Sequence, residues 1–296
     1  LILGQGHSGR TAFSRFVAER FFDKSRIFHL NAVAGGCIDK TVFQNMLAER
    51  FGTSSDYETL FKHLPVNSVV IINDLELWWE KSSEGMETVR KIFQLINLYS
   101  KDCFFIVNCN VFTFRKISED YGKTLPFLDT IHLRSYDRDM LLEAVLRRHR
   151  STGMLFSIAN QNEDQLSVFN KERLADYLMQ NSDGNIGLAL HSWISLIRSI
   201  KGSILNLEFP ESKADTELYL PTEQAIWLTR FLLHKELTRE RMIRLSGLSA
   251  TELELVLNDL KRSLYIVENR RDILEINPWL RRHITARLQQ IGQVPG

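Results

Sequence analysis

The chain has 296 residues, 44% of them hydrophobic and 25% charged, the make-up of an ordinary globular protein large enough for two or three compact units. Lysine and arginine number 37 against 36 aspartates and glutamates, so a net charge of +1 excludes a global field that would draw the molecule onto nucleic acid or an anionic membrane, and any such contact needs a local patch. Three cysteines, Cys37, Cys103 and Cys109, lack paired metal-ligand spacing and read as small buried hydrophobes in a reducing, cytoplasmic setting; no apolar run reaches the length of a membrane span. The chain opens without Met and with barely half a strand, so it reads as an excerpt of a longer protein whose targeting signals or anchors would lie outside these residues.

The opening, LILGQGHSGRTAF, runs three apolar residues into a glycine-rich turn. From Gly4 the spacing follows G-x-x-x-x-G-K-[ST], with Gly4, Gly6, His7, Ser8, Gly9, Arg10 and Thr11 as the candidate phosphate-binding residues and Arg10 at the lysine position. Glycines let backbone N–H groups turn inward around phosphate oxygens, and the helix that follows presents its N-terminus to the anion. Phe13, Phe16, Val17 and Phe21 give that helix its apolar face, and Thr11 sits where a hydroxyl would reach Mg²⁺.

Next come a strand over 26–33, a helix over 39–52 closed by Gly52, and SVVIIND over 68–74, a β-branched run of the kind buried on both faces of a parallel sheet. A helix over 84–100 leads to the buried strand CFFIVNCN (103–110), and a further helix leads to DTIHLR (129–134). Strands alternating with helices imply right-handed crossovers and a parallel sheet. From about 136 the pattern predicts helices only, with 159–165 as a loop, and 201–221 has the Pro, Gly, Ser and charge content of a linker. Three helical segments then precede LYIVE and DILEIN around the turn NRRD, an order that suggests a winged helix, before a closing helix. The expected domains are 1–135, an α/β core; 136–205, an all-α lid; and 218–296, a winged helix with its closing helix.

A P-loop enzyme needs a carboxylate at the end of a second buried strand to hold Mg²⁺, with another beside it to polarise the attacking water. VVIINDLELWW ends a strand in that way, in either of two registers. If Asn73 takes the metal position, Asp74 is the candidate base; if Asp74 takes it, the candidate base is the offset Glu76. The metal candidates are therefore Thr11, Asn73 and Asp74, and neither register gives an intact acidic pair. The position of this strand leaves room for an additional strand between it and the P-loop strand.

With these elements in place the chain resembles an AAA+ or STAND-type P-loop ATPase with a helical lid and a winged helix, similar in layout to origin-recognition ATPases over nearly its whole length. That resemblance implies ATP or ADP with Mg²⁺ as ligands. It also implies that Asn110, with Asn108 as second choice, is the polar residue that reads the γ-phosphate after the fourth strand. NSDGNIGLAL (181–190) resembles the lid segment of both groups, and the diagnostic arginine or proline falls on Gly187. Arg115 and Arg134 are arginine-finger candidates by position alone.

Arg10, the broken acidic pair and Gly187 together depart from the active pattern, since a planar guanidinium is no substitute for a compact ammonium in a tight phosphate cradle. The expected function is thus a nucleotide-binding switch or scaffold with weak or absent hydrolysis. The alternative is an active ATPase that binds DNA through its winged helix. A DNA reader would open its recognition helix with basic or amide side chains, and this one offers Ser249, Ala250, Thr251, Glu252 and Glu254. The basic residues lie elsewhere, at Lys261, Arg262, Arg270, Arg271, Arg281 and Arg282. A protein partner, another part of the longer chain, or a second copy of the chain is expected ahead of DNA, with no membrane contact.

Overall fold

A computed structural model describes residues 1–52, 56–122, 124–210 and 218–295. By the density of their contacts these residues form two units. The first comprises 1–133, 221–277 and the residues from 288 onward; the second comprises 134–220 and 278–287.

In the first unit, β1 (Ile2–Gly4), α1 (Arg10–Phe21), β2 (Ile27–Asn31), α2 (Lys40–Phe51), α3 (Tyr57–Lys62), β3 (Ser68–Asn73), α4 (Ser83–Tyr99), β4 (Cys103–Asn110), α5 (Val111–Tyr121) and β5 (Ile131–His132) follow one another. The strands form one parallel sheet in the order β2-β3-β4-β1-β5. The additional strand, β4, therefore lies between β1 and β3, and the molecule has the additional-strand form of the P-loop α/β fold. β3 is buried along its whole length. Its alternate side chains divide between two cores, with Val69 and Ile71 beside Ala18 of α1, and Val70 and Ile72 among Phe43, Val89, Phe93 and Ile117 from α2, α4 and α5. Helix ends follow local chemistry: Asp39 accepts from the Thr41 N–H, Ser82 from Gly85, and Gly52 closes α2 at φ 75°.

The second unit holds α6 (Arg138–Arg150), β6 (Leu155–Ile158), β7 (Gln161–Asn162), α7 (Val168–Ser182), α8 (Ile186–Ser195), β8 (Ile197–Lys201) and β9 (Ile204–Leu207). The expectation of an all-α segment over 136–205 is corrected here. β7, β6, β9 and β8 form a four-stranded sheet packed with the helices around Phe156, Trp193 and Leu205. The linker expected over 201–221 is corrected too. Gly202-Ser203 is the two-residue turn of the β8–β9 hairpin, Gly202 taking φ 60°, and residues 211–217 of that stretch lie outside the described residues.

Residues 221–277 contribute α9 (Thr222–His234), β10 (Glu236–Leu237), α10 (Arg239–Ser246), α11 (Ala250–Arg262), β11 (Ile266–Glu268) and β12 (Leu274–Ile276), followed by α12 (Arg281–Gln290). Their antiparallel sheet runs β10-β12-β11, so the expected hairpin gains a short third strand. They belong to the same unit as the parallel sheet: α9 lies against α5, with the Asn110 amide donating to the Leu232 carbonyl at 3.0 Å and the Thr113 hydroxyl to that of Leu233. None of the described helices is long and apolar enough to cross a membrane.

Candidate functional site

The carboxyl ends of β1, β3 and β4 converge where the strand order reverses, the position at which open parallel sheets bind ligands. The β1–α1 turn there has the backbone of a phosphate cradle. Gly9 at φ 88° begins α1 without any side-chain cap, and His7 also takes a left-handed φ of 67°. The N–H groups of the first turn thus point outward with the positive end of the helix dipole. Ser8 Oγ is buried against Gly4, where a Cβ would lie 2.5 Å from it, and has no hydrogen-bond partner among the described residues. Thr11 is the second residue of α1.

Arg10 does not face this cradle. Its guanidinium, 5% exposed, turns to the end of β3, with Nη2 2.5 Å from Glu76 Oε1 and 3.4 Å from Asp74 Oδ1, and Nη1 3.3 Å from Glu76 Oε2. Burial works against the charge, and pairing with Glu76 and then Asp74 outweighs it, so Arg10 titrates above its ordinary value. Local backbone makes the contact: Asp74 at φ 52° reverses the chain into a short 3₁₀ turn (Leu75–Trp78), which carries Glu76 into the interior with no exposed surface.

Asp74 has a second partner, remote in the chain. Lys235 Nζ donates to Asp74 Oδ2 at 2.7 Å across 161 residues. Lys235 ends α9 at φ 65°, ψ −56°, a sparsely populated backbone conformation that costs on the order of 1–3 kcal/mol. The surrounding structure holds that strain, and the result is a closed quartet of two cations and two carboxylates.

The asparagines of the site are engaged with one another. Asn73 Nδ2 donates to Asn31 Oδ1 at 2.8 Å, Asn108 Nδ2 donates to Asn73 Oδ1 at 2.5 Å, and Asn108 Oδ1 accepts from the Asp74 N–H at 2.8 Å. This ladder crosses the ends of β2, β3 and β4 and fixes the backbone of Asp74. Its trace in the sequence is an asparagine near the end of each of three consecutive strands. Asn110 caps α5 by accepting from the Phe112 N–H, and its own N–H donates to Glu76 Oε2 at 3.0 Å. The amide expected to read a γ-phosphate is therefore used within the protein, and so is that of Asn108.

These commitments decide how Mg²⁺ would fit. Magnesium demands near-octahedral oxygen ligands at about 2.0–2.1 Å and is held through one or two carboxylates. Both oxygens of Asp74 and of Glu76 accept from cations, and the side-chain oxygens of Asn73, Asn108 and Asn110 accept from N–H groups. Among the described residues no group of three His, Cys, Asp or Glu could hold a metal ion. The donor set does not fit Mg²⁺ as it stands. Cys109, buried beside Glu76, is a thiol pushed up by that burial and is inert.

A second charge cluster joins residues 221–277 to the loops after β2 and β3. Arg241, 1% exposed, donates to Glu80 Oε1 at 2.9 Å and to the carbonyls of Gly35 and Trp79 at 2.8 Å each, and lies 3.1 Å from His234 Nδ1. Arg244 completes the pairing of Glu80 at 2.7 and 3.2 Å. His234 stacks on Trp79, and burial, then the Arg241 charge, holds its pKa well below the ordinary value.

The remaining candidates lie elsewhere. Gly187 is the second residue of α8, and Arg115 is exposed and paired with Glu119; Arg134 is exposed. In α11, Ser249 and Glu252 form a capping box. Arg239 pairs with Glu254 and Glu268, and Lys261 pairs with Glu268, whose carboxyl these two bring down to about 2. Arg281 is buried, whereas Arg262, Arg270 and Arg271 are exposed.

No family model matches the chain, and no curated relative does. Solved structures similar to it include a Walker-type ATPase of Pyrococcus abyssi, 11% identical with a TM-score of 0.44 over 96% of this chain and 90% of that one. A RuvB variant of Thermotoga maritima is 13% identical with a TM-score of 0.43 over 95% and 85%. Cdc6p of Pyrobaculum aerophilum is 14% identical with a TM-score of 0.37 over 98% and 87%. At such scores the likeness adds nothing to the strand order, which carries the fold by itself.

Proposed function

We propose that this chain is a nucleotide-binding regulatory module of the AAA+ or STAND kind, a switch or scaffold whose ATP hydrolysis is weak or absent. The observation that carries the reading is the Arg10 guanidinium held between Asp74 and Glu76. The phosphate cradle keeps its glycines, its left-handed turn and the uncapped start of α1, so a nucleotide can be held by backbone N–H groups. The parts that would act on the γ-phosphate are occupied. Glu76 cannot serve as a base without leaving Arg10, and Asp74 cannot without leaving Lys235 and Arg10. Removing one preorganised electrostatic contact from a transition state costs about 10²–10³ in rate, and here several are diverted together.

The partner proposed is a protein, docked through a winged helix formed by 221–277. Support comes from α11, whose first turn is acidic and whose Lys261 is consumed by Glu268, and from the burial of Arg281. The DNA alternative is left with the exposed Arg262, Arg270 and Arg271 and the half-buried Arg282 as its main contacts.

Calorimetry with ATP and ADP on the wild type and on Gly9→Val tests binding, with loss expected in the variant because Gly9 holds φ 88°. Single-turnover hydrolysis is expected well below the ~1–100 s⁻¹ of competent phosphoryl-transfer enzymes. Brisk turnover that collapses in Glu76→Gln would overturn the reading.

A further inference from the structure

We propose that Arg10 and Lys235 are built-in cations that replace a divalent metal at this site, so that phosphate binding at the β1–α1 loop is independent of Mg²⁺. The inference rests on the nucleotide reading of that loop, but its chemistry is carried by the quartet alone.

The two side chains divide the work of a metal ion between them. Arg10 lies at the start of α1, one residue beyond Gly9, and its fork spans both carboxylates. Lys235 neutralises the outward oxygen of Asp74, and its ammonium is the more accessible cation, 38% exposed against 5% for Arg10. Two positive charges thus occupy the carboxylate oxygens that a metal would need. A divalent ion approaching the same oxygens would have to displace both cations or sit beside them, and like charges at such distances repel strongly in a buried setting. An incoming polyphosphate meets no such barrier, since the uncapped N-terminus of α1 attracts it and the quartet, its charges balanced, adds no net repulsion. The left-handed backbone of Lys235 supports the same role, because backbone strain that the rest of the structure maintains is the mark of a residue held for a purpose.

The test uses the whole chain and two probes, Mn²⁺ alone and ATP. Mn²⁺ titrated into the wild type without nucleotide, followed by electron paramagnetic resonance, is expected to remain free. A stoichiometric bound ion that is lost in Asp74→Asn would overturn the proposal. ATP titrated in EDTA and in excess Mg²⁺ is expected to give apparent Kd values within about twofold, whereas a metal bridging phosphate and carboxylate would tighten binding about tenfold, or ~1.4 kcal/mol, and overturn it. Lys235→Met frees one oxygen of Asp74 at a half-exposed position and should fold normally. It is expected to gain both Mn²⁺ binding and a Mg²⁺ dependence of ATP affinity, and a variant that gains neither counts against the built-in cations. If ATP binds under neither condition, the nucleotide reading falls, and the Mn²⁺ titrations still judge the replacement of the metal.

Discussion

Two charge clusters tie residues 221–277 to the parallel sheet, one through Lys235 and the other through Arg241 and Arg244. In the Arg241 cluster the guanidinium spends its donors on Glu80, two backbone carbonyls and the His234 ring, and Arg241 and Glu80 are only 1% and 3% exposed. In the Lys235 cluster the charges balance, but Asp74 is 16% exposed and Lys235 38% exposed, beside a helix N-terminus with no cap. Arg241 is closed to any ligand, and the more open Arg244, 47% exposed, has both of its contacts on the buried Glu80, whereas Lys235 is paired with a carboxylate that is itself partly exposed. The difference separates a weld from a site: both are ion pairs across long sequence separations, yet only one lies at the start of α1 with a carboxylate open to solvent.

The sharpest way to break the comparison is Arg241→Ala. It would leave Glu80 with only the half-exposed Arg244 and strip two buried carbonyls of their donor, and removing one partner of a buried pair costs about 3–5 kcal/mol. Chemical denaturation should show a loss of this size. A loss below about 1 kcal/mol would mean that the cluster is not the weld described, since only exposed pairs contribute so little. Gly36 lies so close that a Cβ there would come within 1.5 Å of Arg241 Nη1, which shows how tightly the guanidinium is enclosed.

A smaller effect comes from the histidine between the clusters. His234 has a folded-state pKa well below the ordinary histidine value of about 6.5, so below about that pH the unfolded chain binds a proton that the folded chain refuses. Its contribution to stability is present in full above the unfolded-state pKa and is lost as pH falls below it, at roughly 1.4 kcal/mol per pH unit until the folded-state value is reached. His29 and His149 are lowered in the same sense, by burial first, so the wild-type slope belongs to several groups. His234→Phe, which keeps the stacking on Trp79, isolates one of them. Denaturation midpoints between pH 7 and pH 5 should fall less steeply in the variant than in the wild type, and equal slopes would show that His234 ionises freely in the folded protein.

The two clusters also mark how far the sequence could be read. The β-branched run of β3, the caps at Asp39 and Ser82 and the glycine-rich turn are local signals, and each predicts its element from neighbours within a few residues. The asparagine ladder was within reach too, since Asn31, Asn73 and Asn108 each lie near the end of a strand. Identity at position 10 announced a departure, but the direction of the Arg10 side chain depends on Asp74 reversing the chain so that Glu76 turns inward. Lys235 is 161 residues from Asp74, and no pattern in α9 distinguishes it from a lysine at any helix end. The four-stranded sheet of the second unit was hidden for another reason: its strands are short, and Gly202-Ser203 has the composition of a linker as much as of a hairpin turn.

The smallest expected effect is the loss of stability in Lys235→Met, and its smallness is informative. The ammonium is half-exposed and paired at 2.7 Å with a carboxylate that keeps Arg10 as a second partner, so the pair should contribute less than about 1 kcal/mol, as surface ion pairs do. Methionine retains much of the aliphatic stem, so packing is little changed. Relief of the strained backbone would not follow, because Met at φ 65° is no better placed than Lys. Thermal denaturation should therefore show a small shift, set against a large one for Arg241→Ala. A loss approaching that of Arg241→Ala would make Lys235 part of the weld, with its charge fixed to Asp74 for folding and not held in reserve for a phosphate.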